Sequence, residues 1–258
     1  MIMIYQLNDR GEEVAKIQER LKITIDGIFG YETLQAVKQF QREHDLLCDG
    51  IVGPKTWAKL FSGIDIKKGY IDRHISRCLN RRIKYLVLHY TAGTTSKSGA
   101  AMRTRDVFLK RNASADFVVD DENIVQINPD IRNYFTWAVG DKKNPYTGGG
   151  QLRSLVENRN SISIEMCSNL AVGANASVPN HEGWYFTEKT LENAKKLVKY
   201  LQKEYNIPKS NVIRHFDVSG KLCPGVYGWN TGPLFTTQGN NTTKRNNEDK
   251  WKAFLDAL

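Results

Sequence analysis

Lys84-Tyr85-Leu86-Val87-Leu88-His89 is a short apolar run with a histidine at its end, and it decides the fold of the larger part of this chain. A run this brief reads as a buried strand. Working outward, Asp116-Phe117-Val118-Val119-Asp120 reads as a second strand, turned at Asp121-Glu122-Asn123 into Ile124-Val125-Gln126-Ile127. Ser161-Ile162-Ser163-Ile164-Glu165-Met166 alternates strictly, as a half-buried strand does. Thr187 to Tyr205 reads as a long helix capped by Thr187 or Thr190, with Leu191, Ala194, Leu197, Val198 and Leu201 on one face and Pro208 closing it. Val212-Ile213-Arg214-His215 reads as a short final strand. Strands alternating with helices from residue 81 onward predict an α/β (α+β) layer fold, a mixed central sheet flanked by helices.

His89 ends one of these strands and His215 another, and Cys223 follows in a loop closed by Pro224-Gly225. Singly, each has an ordinary reading: histidines cap strands by hydrogen bonding, and cysteine is a small buried hydrophobe. As a set they offer two nitrogens and a sulfur, which suits zinc with a fourth position left for water. Spacing alone does not bring His89 beside His215. Strand alternation puts Glu165 with Ser161 and Ser163, opposite Ile162, Ile164 and Met166, where it is either a general base or a solvated strand residue. Lys221 can set an ammonium where negative charge develops, or be a surface lysine. Cys167 shares a face with Glu165 and either competes as a ligand or packs. Asp217 either orients a neighbouring ligand or forms a turn.

The 258 residues are 40% apolar and 25% charged, with 20 Gly and 7 Pro, which excludes collagenous, disordered and disulfide-scaffold classes. Apolar stretches such as Tyr85–Leu88 fall far short of a membrane span of about 18 residues. Met1 to Arg10 has no basic segment followed by an apolar one, so no secretory signal is read. Cys48, Cys78, Cys167 and Cys223 are scattered, and disulfides are not expected. The net charge of +9 is uneven: residues 1–61 carry −1 and the remainder +10. That surplus fits nucleic acid, anionic lipid or an anionic wall polymer. The sequence shows no aromatic-interleaved basic patch and no nucleic-acid motif. His74 and His181 have no motif around them and read as surface residues.

Residues 1–61 contain a repeat of period 23: Val14, Ile17, Gln18, Asp26-Gly27-Ile28, Gly30 and Thr33 recur as Val37, Phe40, Gln41, Asp49-Gly50-Ile51, Gly53 and Thr56. Each copy reads as an amphipathic helix, an Asp-Gly turn and a Thr capping the next helix. This predicts a three-helix domain over 1–61, a linker over 62–72 and a second domain over 73–258. Gly148-Gly149-Gly150 and Thr236 to Asn247 read as mobile loops, and a terminal helix lies around Trp251, Phe254 and Leu258.

The repeat resembles the small peptidoglycan-binding domain found beside many bacterial and phage wall hydrolases, which implies wall-facing loops at Asp26, Gly27, Asp49 and Gly50. Leu88-His89-Tyr90-Thr91, Ser161 to Cys167 and His215-Phe216-Asp217-Val218-Ser219-Gly220-Lys221-Leu222-Cys223-Pro224-Gly225 resemble the signature of the zinc-dependent N-acetylmuramoyl-L-alanine amidases, which share a fold with peptidoglycan recognition proteins. The likeness spans roughly residues 80–230. It implies a Zn2+ cofactor held by His89, His215 and Cys223, with Glu165 and Lys221 as catalytic side chains. It also implies Trp137 as a wall of the substrate groove, the other reading of that residue being a core aromatic. In several members a tyrosine acts from the strand aligned with Asp116 to Val119; the matching position here is Ala115, so no tyrosine role carries over. Asp116 itself reads either as a substrate-binding residue that hydrogen-bonds the metal ligands or as an edge-strand solubilising charge. The resemblance implies a monomeric wall hydrolase that cuts between the lactyl group of N-acetylmuramic acid and L-alanine. Its partner is then peptidoglycan, without nucleic acid or stable membrane insertion. It is also endolysin-like: synthesised in the bacterial cytoplasm without a signal peptide and acting on the wall after release. A non-catalytic peptidoglycan receptor and a zinc endopeptidase of the stem peptide are the alternatives.

Overall fold

The computed structural model describes residues 4–61, 63–140, 149–179, 181, 183–225, 234–236, 239–241 and 248–258. The chain divides into two compact units, Met1–Ile64 and Asp65–Leu258.

The first unit holds α1 (Glu12–Leu21), α2 (Tyr31–Glu43) and α3 (Pro54–Leu60) around a core of Val14, Ile17, Phe29, Val37, Val52 and Leu60. The repeat is explained by two copies of one polar clasp. Gln18 Nε2 donates to Asp26 Oδ1 (2.7 Å), the Ile28 carbonyl (3.0 Å) and Thr33 Oγ1 (3.0 Å), while its Oε1 accepts from the Gly27 amide at 2.8 Å. Gln41 does the same with Asp49 (2.9 Å), the Ile51 carbonyl (2.9 Å), Thr56 (3.2 Å) and the Gly50 amide (2.8 Å). The turns need glycine because φ is +69° at Gly27 and +79° at Gly50. Thr33 and Thr56, expected as caps, are not caps. The helices begin two residues earlier, after Gly30 and Gly53, and both threonines are buried in the first turn. Each hydroxyl is turned inward because the glutamine needs an acceptor there.

The second unit runs β1 (Ile66–Lys68), β2 (Ile75–Arg77), β3 (Tyr85–Tyr90), α4 (Ala100–Phe108), β4 (Phe117–Val119), β5 (Ile124–Gln126), β6 (Tyr134–Thr136), β7 (Ser161–Met166), β8 (Asn169–Leu170), β9 (Trp184–Tyr185), α5 (Glu188–Tyr205), β10 (Val212–Arg214), α6 (His215–Ser219), β11 (Leu234–Thr236), β12 (Gly239–Asn241) and α7 (Glu248–Asp256). Six strands form one mixed sheet in the order β1-β5-β4-β7-β3-β10, in which β4–β5 is the antiparallel pair. The expected mixed sheet flanked by helices is therefore present. The stretch expected as a linker instead supplies its edge strand: Ile66 pairs with Ile124 and Lys68 with Gln126. Ile66 is half-buried there, so the isoleucine gains a sheet partner that a free linker would deny it.

Three further readings change. β7 is central and buried at every residue but Glu165, which is partly exposed, in a sheet on which α4 and α5 both pack. Its serines are buried with partners: Ser161 Oγ donates to the Glu157 carbonyl at 2.7 Å, and the Ser163 amide to Asp116 Oδ2 at 2.8 Å. β10 stops at Arg214, because the Asp217 carboxylate accepts the Arg214 amide (2.8 Å) and starts α6 at His215. Gly149 and Gly150, expected in a mobile loop, are buried against α6, with the Gly150 amide donating to the Phe216 carbonyl at 3.0 Å. A Cβ on Gly149 would meet that carbonyl oxygen at 2.6 Å, so only glycine allows the approach. Gly148 lies outside the described residues, as do 237–238 and 242–247 of the other expected loop; Thr236 and Gly239–Asn241 pair as a hairpin. Thr187 caps α5 as expected, its hydroxyl accepting the Thr190 amide at 3.1 Å. Among the described residues no helix is long and apolar enough to cross a membrane.

Replacing Gln41 by leucine leaves the Gly50 amide, Asp49 and Thr56 without their buried partner. The N-terminal unit is expected to lose about 1–3 kcal/mol, read as faster hydrogen exchange at Gly50 and Ile51. The exposed Gln39→Leu should change it by less than about 0.5 kcal/mol; equal exchange in both variants would contradict the clasp.

Candidate metal centre

The sheet register assembles the site. β10 and β3 run parallel with Arg214 opposite Leu88, so His215, the next residue, stands beside His89. On the other side of β3, His89 pairs with Glu165 of β7. Three chemically active residues from distant parts of the chain thus lie abreast at the carboxyl ends of adjacent parallel strands, where α/β sheets commonly place their ligands. The His89 and His215 rings have centroids 4.6 Å apart. Cys223 is returned to them by α6: the Phe216 amide donates to the Cys223 carbonyl (2.9 Å), and Sγ lies 3.9 Å from His89 Nδ1.

The side chains of His89, His215 and Cys223 each present a ligand atom within 4.8 Å of the others, and all three residues are buried. It is the one such group among the described residues. His89 Nε2, His215 Nδ1 and Glu165 Oε2 are buried without a hydrogen-bond partner. Buried polar atoms are rarely left so unless a further group completes them. Two imidazole nitrogens and a thiol sulfur with such orphans fit a tetrahedral metal that keeps a position open.

Burial sets the charge states. It holds the His89 imidazole well below the usual histidine range and pulls His215 down to about 3, with the nearby Lys221 charge adding to both effects. Burial pushes the Cys223 thiol up to about 12 against the pull of Lys221. It also raises Glu165 to about 7, again opposed by Lys221. Without a metal, the site thus holds neutral imidazoles, a protonated thiol and a carboxyl poised near neutrality.

Glu165, Lys221 and Cys223 line one open cavity of about 910 Å³, together with Tyr90, the Thr91–Thr95 loop and residues of α4 such as Arg103 and Thr104. Cys167 also lines it but packs among Ala101, Val118 and Val125, its thiol pushed up to about 12 chiefly by burial. It is not part of the His–His–Cys group. Asp217 accepts from the amide, Nε and Nη2 of Arg214, so it serves the turn that launches His215. Asp116 is neither a groove residue nor an edge charge. It is fully buried, and its carboxylate is taken up by Asn128 (2.7 Å), Thr136 (3.0 Å), the Ser163 amide and Arg81 (3.6 Å). Arg81 in turn donates to five backbone carbonyls, so this pair holds the sheet to its loops. Trp137 is not among the cavity residues: it is 42% exposed, donates Nε1–H to Ser76 (2.9 Å) and packs on His74. His74 is accordingly half-buried, its Nδ1 2.6 Å from the Phe108 carbonyl. The Asp26, Gly27, Asp49 and Gly50 turns carry the glutamine clasps described above.

Sequence reasoning missed α4 and Asp120. Gly99, at the start of α4, gives no side-chain cap; the Ala101 amide donates instead to Asp120, 19 residues further on, at 2.8 Å. Asp121, next to it, accepts from the hydroxyls of Ser96, Thr187 and Thr190, tying the cavity loop to the start of α5. The Asp120-Asp121 pair in a turn was the signal available, but it points to a turn and not to remote capping.

Residues 79–226 match the N-acetylmuramoyl-L-alanine amidase family, and residues 10–60 match a peptidoglycan-binding domain family. The chain is 30% identical over 161 residues to the N-acetylmuramoyl-L-alanine amidase CwlL of Bacillus licheniformis, covering 60% of this chain and 39% of that protein. It is 35% identical over 143 residues to the N-acetylmuramoyl-L-alanine amidase CwlH of Bacillus subtilis (strain 168), covering 54% and 46%. It thus spans less than half the length of these relatives. The solved catalytic domain of XlyA, whose parent is an amidase of Bacillus subtilis (strain 168), aligns with 27% identity and a TM-score of 0.46, covering 75% of this chain and 99% of that one. The amidase match takes in more than half of the sequence and all three residues of the His–His–Cys cluster, and the chain belongs to the N-acetylmuramoyl-L-alanine amidase family.

Proposed function

We propose that this chain is a zinc-dependent peptidoglycan hydrolase that cleaves the amide between the lactyl group of N-acetylmuramic acid and the L-alanine of the stem peptide. The observation that carries this reading is the meeting of His89, His215, Cys223 and Glu165 beside one open cavity. His89, His215 and Cys223 would hold the metal. Zinc, when bound, supplies a polarised carbonyl and a water made acidic enough to attack near neutral pH. Glu165 takes the proton of the attacking water and returns it to the departing nitrogen, a task suited to a carboxyl near 7. Lys221 places a positive charge where the carbonyl oxygen gathers negative charge. Residues 1–61 hold the enzyme on the wall, which raises the local concentration of substrate. The Asp26-Gly27 and Asp49-Gly50 turns are proposed to face the wall, with their backbone fixed by Gln18 and Gln41. The site of action is the cell wall, reached by an endolysin-like route.

Digestion of purified peptidoglycan followed by mass spectrometry tests the bond assignment. Free stem peptides with an intact N-terminal alanine are expected; shortened peptides mean an endopeptidase, and no products mean a receptor. Glu165→Gln should retain one zinc per chain and lose about 10²–10⁴-fold in turnover; undiminished activity would reassign the base. Removing residues 1–61 should weaken sedimentation with cell walls, and unchanged sedimentation would end the targeting role.

The charge states predict a pH law for zinc uptake. The imidazoles are already neutral, and Glu165 is ionised above its value of about 7, so Cys223 alone must shed a proton to ligate. Between about pH 7.5 and 8.5, zinc affinity should rise at least about tenfold per pH unit, with any acidic bound water adding to the slope, measured by chelator competition. A pH-independent affinity would show that the thiol is not a ligand.

A further inference from the structure

The terminal helix α7, to which neither the repeat nor the cavity gives a role, packs against the residue preceding the proposed ligand His215. Trp251 and Phe254 on α7 are each 5% exposed, and their rings stack at 9° with centroids 5.7 Å apart. The guanidinium carbon of Arg214 lies 5.5 Å from the centre of the Trp251 ring and 5.2 Å from that of Phe216. Arg214 is itself buried and paired twice with Asp217, through Nη2 to Oδ1 (2.8 Å) and Nε to Oδ2 (3.1 Å). A guanidinium within this distance of two aromatic rings and a carboxylate is held far more tightly than one in water.

What that arginine holds is the start of α6. Asp217 accepts the Arg214 amide, His215 follows at the first helical position, and the Phe216 amide ties to the Cys223 carbonyl. Two of the three donor side chains therefore depend on one short helix of five residues, too short to fix itself. We propose that Trp251 is a positioning residue for the metal centre, acting through Arg214 and Asp217 to fix His215 and Cys223 in the geometry a zinc ion requires. This rests on the zinc reading given above. It assigns α7 to the catalytic machinery as a brace, with no contact to substrate. Outer residues that orient ligands are commonly worth 10- to 100-fold in metal affinity.

The experiment compares full-length wild type, Trp251→Phe and Trp251→Leu. Leucine keeps apolar bulk and removes the aromatic face; phenylalanine keeps the face. Zinc affinity is measured by chelator competition, and the cobalt-substituted proteins are compared by their visible absorption bands. Trp251→Leu should bind zinc about tenfold or more weakly, shift the cobalt bands and lower kcat with little change in KM for soluble wall fragments. Trp251→Phe should restore all three. Wild-type affinity and an unshifted cobalt spectrum in a folded Trp251→Leu overturn the brace while leaving the zinc reading intact. A wild type that takes up no zinc overturns the zinc reading itself. If Trp251→Leu fails to fold, Arg214→Gln decides in its place, because it removes the cation that Trp251 holds and keeps a side chain of similar length: zinc affinity about tenfold or more weaker with shifted cobalt bands supports the brace, and wild-type affinity and bands overturn it.

Discussion

Parallel pairing of β10, β3 and β7 determines which residues stand abreast at the carboxyl end of the sheet. A slip of one residue in either ladder would turn His215 or Glu165 to the opposite face. Much of the second unit serves to prevent such a slip. Arg81 and Asp116 lock the loops to β4 and β7, and Asp120 and Asp121 fasten α4 and α5 to the same sheet. On the central strand the Ser161 hydroxyl and the Ser163 amide each have a partner, whereas Glu165 Oε2 is left without one beside the His–His–Cys group.

Burial then decides what chemistry the abreast residues can do. Desolvation penalises charge, so it keeps both imidazoles neutral and ready to ligate, and it lifts a carboxyl into the range useful for moving protons. The same force on Cys167 raises a thiol that lies in the same cluster as Ala101, Val118 and Val125, with Asp120 adding to the rise and Thr104 and Arg103 opposing it only in part. Lys221, exposed at the cavity, moderates the carboxyl and thiol without being buried itself.

Much of this was legible from residue patterns. The strand at Ser161–Met166, the Thr187 cap and the period-23 repeat all follow from local rules, and the His–Cys motif at 215–223 carries its own signal. What escaped depends on contacts remote in sequence. α4 has no local cap because its cap is Asp120; Thr33 and Thr56 look like caps until Gln18 and Gln41 claim their hydroxyls. Asp116 looks like a surface charge because its partners Arg81, Asn128 and Thr136 are scattered along the chain. Trp137 was placed by resemblance; its indole donates to Ser76 and lies against His74, and it remains partly exposed.

The proposed hydrolase chemistry rests on one metal ion shared by His89, His215 and Cys223. X-ray absorption at the zinc edge of the loaded protein addresses it most directly. Two imidazole nitrogens at about 2.0–2.1 Å and one sulfur at about 2.3 Å are expected, with the sulfur signal lost in Cys223→Ser. A first shell of nitrogen and oxygen alone in the unaltered protein would contradict it.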